Sequence, residues 1–178
     1  MKVSAYIAAS LDGFIAREDG GLDWLPGAED EAGSEDYGFA DFFNSVDALV
    51  MGRNTFDFVL TTGLWPYGDK PVYVWTSRPL DAKEFPDRKI IPFSGTPDEL
   101  HRRLVDDGFG HVYLDGGKAI QSFMREGLVD GVIITWIPVL IGGGIPLFGS
   151  LEKDITLQQV RTQTFPSGMV QSEYAINS

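Results

Sequence analysis

Short β-branched apolar runs alternate with helix-like stretches along this chain, and that alternation limits the possible folds more than any other feature. Residues 2–9, 46–51, 71–76, 89–92, 111–115 and 131–141 read as strands. The run 71–76 is almost continuously apolar, as expected of a strand buried on both faces. Helical patterns fall at 34–43, with Ser34 as N-cap, and at 55–60 and 118–126. A further helix opens at Thr96-Pro97-Asp98-Glu99, a capping box with proline at the first helical position, and stops at Gly108. Strands alternating with helices specify an α/β fold with a mostly parallel sheet, here of about eight strands. Residues 155–164 and 169–176 add a C-terminal antiparallel hairpin around Phe165-Pro166-Ser167-Gly168. A chain of 178 residues is expected to form a single domain, 1–178.

Two glycine turns stand out at strand ends. One is Met51-Gly52-Arg53-Asn54-Thr55, the other Asp115-Gly116-Gly117-Lys118. Each follows an apolar run and opens a helix, so each leaves free N–H groups at the positive end of a helix dipole. Such an end accepts anions, and glycine lets a phosphate approach with no Cβ in its path. Two units of this kind suit a ligand carrying phosphate at two places, as a dinucleotide does. The bland alternative is that these are ordinary turn glycines. A third cluster, Gly142-Gly143-Gly144, precedes no clear helix and carries less weight.

Composition excludes several classes. No cysteine is present and only two histidines, so thiolate and histidine metal sites are not expected. A net charge of −12 argues against nucleic acid, whose backbone needs a basic face. No apolar run reaches the length of a membrane span. The N-terminus reads as a strand and not as a signal peptide, so a cytoplasmic protein is expected. An anionic ligand would need a local basic cluster within this negative field, and Arg53, Arg78 and Lys118 lie beside the turns.

Five motifs, in this order, resemble the dihydrofolate reductase fold. They are Ser10-Leu11-Asp12-Gly13-Phe14-Ile15-Ala16, Met51-Gly52-Arg53-Asn54-Thr55-Phe56, Thr76-Ser77-Arg78, Asp115-Gly116-Gly117-Lys118 and the run from Pro138 through Gly142-Gly143-Gly144 to Phe148. The closer resemblance is to the C-terminal reductase domain of the bifunctional riboflavin-biosynthesis deaminase-reductase. It implies an NADPH-dependent reductase acting on a small heterocyclic or carbonyl substrate, pterin- or aminopyrimidine-like, and a homodimer built from the strand 132–141 and the hairpin. By the same resemblance Ala8 lies on the nicotinamide side and Trp24 contacts the cofactor. Trp24 sits in a loop with few apolar neighbours in sequence, which suits exposure or ligand contact. Gly52, Arg53 and Thr55 would hold phosphates, Thr76, Ser77 and Arg78 the 2′-phosphate, and Gly116, Gly117, Lys118 and Ala119 the pyrophosphate. Gly116–Gly117 is also a candidate for the cis peptide known in the fold.

The proton donor is less legible. The spacing common in the fold places a helix carboxylate at Asp36, with Asp41 as substitute. The bland reading of Asp36 is an acid that stabilises a helix N-terminus. Asp115 resembles an acidic substrate-contacting residue of the riboflavin branch, and burial at a strand end would raise its pKa into a useful range. No pterin-binding set and no ribose-phosphate set is recognisable. The alternative to an enzyme is a non-catalytic dimeric nucleotide-binding protein that kept the fold.

Overall fold

A computed structural model describes residues 1–26 and 35–176. Its core is an eight-stranded sheet in the order β5-β4-β3-β6-β1-β7-β10-β9. The strands are β1 Lys2–Ser10, β3 Ala48–Gly52, β4 Val72–Trp75, β5 Ile90–Phe93, β6 His111–Asp115, β7 Gly131–Ile137, β9 Leu157–Thr164 and β10 Val170–Ile176. The six from β5 to β7 run parallel, and β10 and β9 complete the sheet antiparallel. A separate ribbon pairs β2 Phe14–Ala16 with β8 Ile145–Pro146. This is the α/β architecture with a mostly parallel sheet that the alternation of strands and helices specified.

Helices cover both faces. Alternation along β1 sends Val3, Ala5 and Ala9 to one side, where they pack with Leu100 and Leu104 of α3 Pro97–Asp106 and with Ile120 and Phe123 of α4 Gly117–Arg125. The other side packs Leu49, Met51, Val72 and Val74 against Phe42 of α1 Phe39–Ser45 and Phe56 of α2 Arg53–Thr61. The capping box of α3 forms as read: Glu99 N–H donates to Thr96 Oγ1 at 3.2 Å, and Thr96 N–H to Glu99 Oε2 at 2.8 Å.

Three differences from the sequence reading have physical causes. The helix expected over 34–43 begins at Phe39, because Tyr37 and Gly38 both take positive φ and interrupt helical backbone. The proposed cap Ser34 lies outside the described residues. The strand expected over 131–141 ends at Ile137, since Pro138 has no N–H to give and Val139 N–H turns back to the Ile137 carbonyl at 2.7 Å. Finally, β7 lies inside the sheet with Val132, Ile134 and Ile137 buried, so its apolar residues serve the core. The sheet ends in β5 on one side and on the other in β9, which is exposed along its length.

Candidate active site

Strands β3 and β6 are neighbours, with Met51 level with Asp115. From β3 the chain leaves through α2 to β4 on one side, and from β6 it leaves through α4 to β7 on the other. This reversal is a topological switch point, and open α/β sheets bind ligands in the crevice outside the strand ends there. Both glycine turns therefore meet at one crevice. Neither α2 nor α4 has a side-chain cap at its N-terminus, in contrast to α3, so their first N–H groups are left for another acceptor.

The two turns differ in what surrounds their glycines. A Cβ on Gly52 would meet nothing within 4 Å, and φ is an ordinary −72°. Open space beside uncapped N–H groups fits a phosphate. At Gly116, φ is +89° and a Cβ would stand 2.3 Å from Thr55 Oγ1. A Cβ on Gly117 would meet Ile15 Cδ1 at 2.8 Å and Ile145 Cγ2 at 3.3 Å, both from the β2–β8 ribbon. These glycines are thus required by the chain's own packing. Thr55, expected to hold phosphate, fills the space beside Gly116. The described residues contain no cis peptide, so Gly116–Gly117 is trans, with the turn made by the positive φ of Gly116.

Basic groups gather at the end of β4. Arg53 Nε donates to Asp57 Oδ1 at 2.6 Å, and Arg78 Nη2 donates to Asp57 Oδ2 at 3.2 Å. The turn that carries Arg78 is fixed by Thr76, whose Oγ1 accepts the Arg78 N–H at 2.9 Å. Ser77 is exposed beside it. Lys118 is exposed on the first turn of α4, while Ala119 is fully buried in the core, so its side chain cannot reach a ligand.

Asp115 points to the α1–α2 face beneath a layer of rings. Phe42 packs edge-on to Tyr113 at 5.1 Å, Phe39 to Tyr113 at 6.2 Å, and Phe43 lies 6.5 Å from Tyr67. The Asp115 carboxyl keeps little surface, and desolvation pushes its pKa up from 3.8 to about 6. The Gly116 backbone and the Tyr113 and Tyr67 hydroxyls pull in the opposite direction. Such a carboxyl holds its proton to higher pH than an exposed aspartate and gives it up as the pH passes about 6.

Residues 1–171 match the RibD C-terminal domain. The chain belongs to the RibD C-terminal domain family. The uncharacterized protein YwjB of Bacillus subtilis is 37% identical over 166 residues, 92% of each chain. A Shewanella sp. PV-4 protein named for riboflavin biosynthesis superposes with a TM-score of 0.90 at 36% identity, over 100% of both chains. Dihydrofolate reductase from Enterococcus faecalis, complexed with NADP(H) and RAB-propyl, shares the fold with a TM-score of 0.68 at 17% identity, over 99% of this chain and 97% of its own.

This RibD C-terminal domain places its remaining candidates away from the two turns or inside the protein. Asp36 is exposed, and its carboxylate accepts the Gly38 and Ala40 N–H groups at 2.9 and 3.0 Å. Those bonds hold its pKa below the usual carboxylate range, the signature of a capping acid. It borders a groove of about 730 Å³ between α1 and the β1–β7–β10 face, where Gln171 bonds to Tyr6, Tyr37 and Thr135. Trp24 is buried, contrary to its sequence surroundings, against Ile137, Phe165 and Met169. Ala8 packs on the same cluster, beyond the last β1–β6 pair, Ala5 with Leu114. Trp24 Nε1 is buried without a partner among the described residues. Sequence reasoning missed Asp57 and Tyr67. An acid four residues after Arg53 on a helix was the available signal for the first.

Among the described residues no cluster suits a metal ion, and no helix is long and apolar enough to cross a membrane.

Proposed function

We propose that this protein is an NADPH-dependent reductase that transfers hydride to a small heterocyclic or carbonyl substrate, pterin- or aminopyrimidine-like. The observation that carries the reading is the open side of Gly52, at an uncapped helix start, at the switch point and next to Arg53 and Arg78. Family membership supports the reductase class, and a fold neighbour complexed with NADP(H) supports the cofactor. The donor set fits a 2′-phosphorylated dinucleotide at the β3 and β4 ends. At the start of α4 only backbone N–H groups and Lys118 remain for a pyrophosphate, since Thr55, Ile15 and Ile145 fill the glycine sides. NADPH, when bound, supplies the hydride. Gly52, Arg53, Ser77 and Arg78 hold its phosphates, and Ala8 and Trp24 border its nicotinamide end.

Asp115 holds the proton that reduction of a C=N or C=O bond needs, because burial keeps that carboxyl protonated at higher pH than any capped acid. Asp36 serves the α1 start, and its backbone bonds favour the anion. The protein works in the cytoplasm as a homodimer, with the exposed edge strand β9 of the C-terminal hairpin as the contact. A sedimentation mass of twice 19.6 kDa checks that state.

The first test is a titration with NADPH and NADH, read by tryptophan fluorescence, followed by NADPH oxidation with pterins and aminopyrimidines. Tight NADPH-preferring binding with turnover is expected. Loss of both nucleotides removes the reading. Binding without oxidation of NADPH by any acceptor marks a nucleotide-binding protein that lacks the chemistry.

A further inference from the structure

Arg53 and Arg78 come from different elements yet close on one carboxylate, each on its own oxygen of Asp57. Two more acceptors fix their planes. Arg53 Nη1 donates to the Pro79 carbonyl and Arg78 Nη2 to Asn54 Oδ1, both at 2.8 Å. The side chains of Arg53, Asp57 and Arg78 keep 23%, 39% and 53% of their surface. Ion pairs this exposed add little to folding. What the arrangement does supply is geometry.

A guanidinium carries five N–H donors. Among the described residues Nη2 of Arg53, and Nε and Nη1 of Arg78, have no protein acceptor. Two unscreened guanidiniums would repel and spread over many rotamers. A carboxylate between them cancels that repulsion and leaves a net charge of +1 on the cluster. The same carboxylate has spent both oxygens on arginine. A free carboxylate at such a position accepts the ribose 2′-hydroxyl and favours NADH, whereas arginine receives a 2′-phosphate.

We propose that Asp57 is a specificity-determining residue that acts through Arg53 and Arg78, clamping them side by side so that their spare donors take the phosphate monoester that distinguishes NADPH from NADH. This rests on the NADPH reading above. Asp57 also repels phosphate by its own charge, but it is solvent-screened and already paired with two cations, so positioning outweighs repulsion.

Dissociation constants for NADPH and NADH, measured on the wild type and on Asp57→Asn, test the idea. The variant is expected to lose about tenfold in NADPH affinity and to leave NADH unchanged. A general structural fault would weaken both equally and would overturn the proposal, as would unchanged or tighter NADPH binding. The same substitution in an Arg53→Ala/Arg78→Ala background is expected to have no further effect on NADPH, and a further loss there would also overturn it. If the wild type binds both nucleotides equally, the specificity role falls and dinucleotide binding stands. If it binds neither, the NADPH reading falls and takes this role with it.

Discussion

The two strand–glycine–helix units read almost identically in sequence, and the fold uses them differently. In the first, the missing side chain of Gly52 faces open space. In the second, Gly116 and Gly117 make room for Thr55 of the first unit and for Ile15 and Ile145 of the ribbon. A glycine at a helix start therefore has two causes. It spares a ligand in one unit and spares the chain itself in the other, and only the surroundings tell them apart.

The sharpest break of this contrast is Gly116→Ala. It combines a φ of +89° with a contact of 2.3 Å to Thr55 Oγ1, and should cost about 4 kcal/mol in urea unfolding. A variant as stable as the wild type would show that Thr55 yields freely. Next comes Asp115, at the end of the strand that feeds the second turn. Its folded pKa is raised, so the folded state binds the extra proton. Stability is full below about pH 4 and falls as pH rises to about 6. The loss reaches up to about 3 kcal/mol by the conversion of pKa to energy. Asp115→Asn should flatten that slope and also slow NADPH oxidation. Unchanged turnover would leave the residue a structural role only.

Gly52→Ala should contrast with Gly116→Ala. Its φ of −72° suits alanine, but alanine caps the start of α2 less well than glycine, so stability should change by less than about 0.5 kcal/mol while NADPH binding weakens about tenfold. Equal NADPH affinity would remove the phosphate from this turn. The smallest effect belongs to Asp36→Ala. Its lowered pKa makes its contribution present at neutral pH and lost as acid protonates the carboxylate. A slight drop in melting temperature near neutrality is expected, vanishing in acid, with turnover unaffected.

Local rules carried the reading of the parallel sheet, the two turns and the α3 capping box, because each is written within a few consecutive residues. The ribbon was invisible: β2 and β8 have three and two residues and lie far apart in the chain. Asp12 links the same regions, accepting the Gly142 N–H at 2.8 Å across 130 positions. The surroundings of Trp24 were misread because its apolar partners come from residues 137, 165 and 169. At the site, Arg53 and Arg78 were legible as charges beside glycine turns. Their shared acceptor was not, since it lies 21 residues from Arg78.

Trp24 gives the protein a built-in optical probe. Its indole sits in an apolar pocket with its N–H unpaired, while Trp65 and Trp75 donate theirs to the Gly68 and Gly95 carbonyls. An indole in dry surroundings with no donor bond should emit to the blue of the others. Ligand arrival beside Trp24 should then change the colour of the emission as well as its intensity, and would report which end of the crevice has filled.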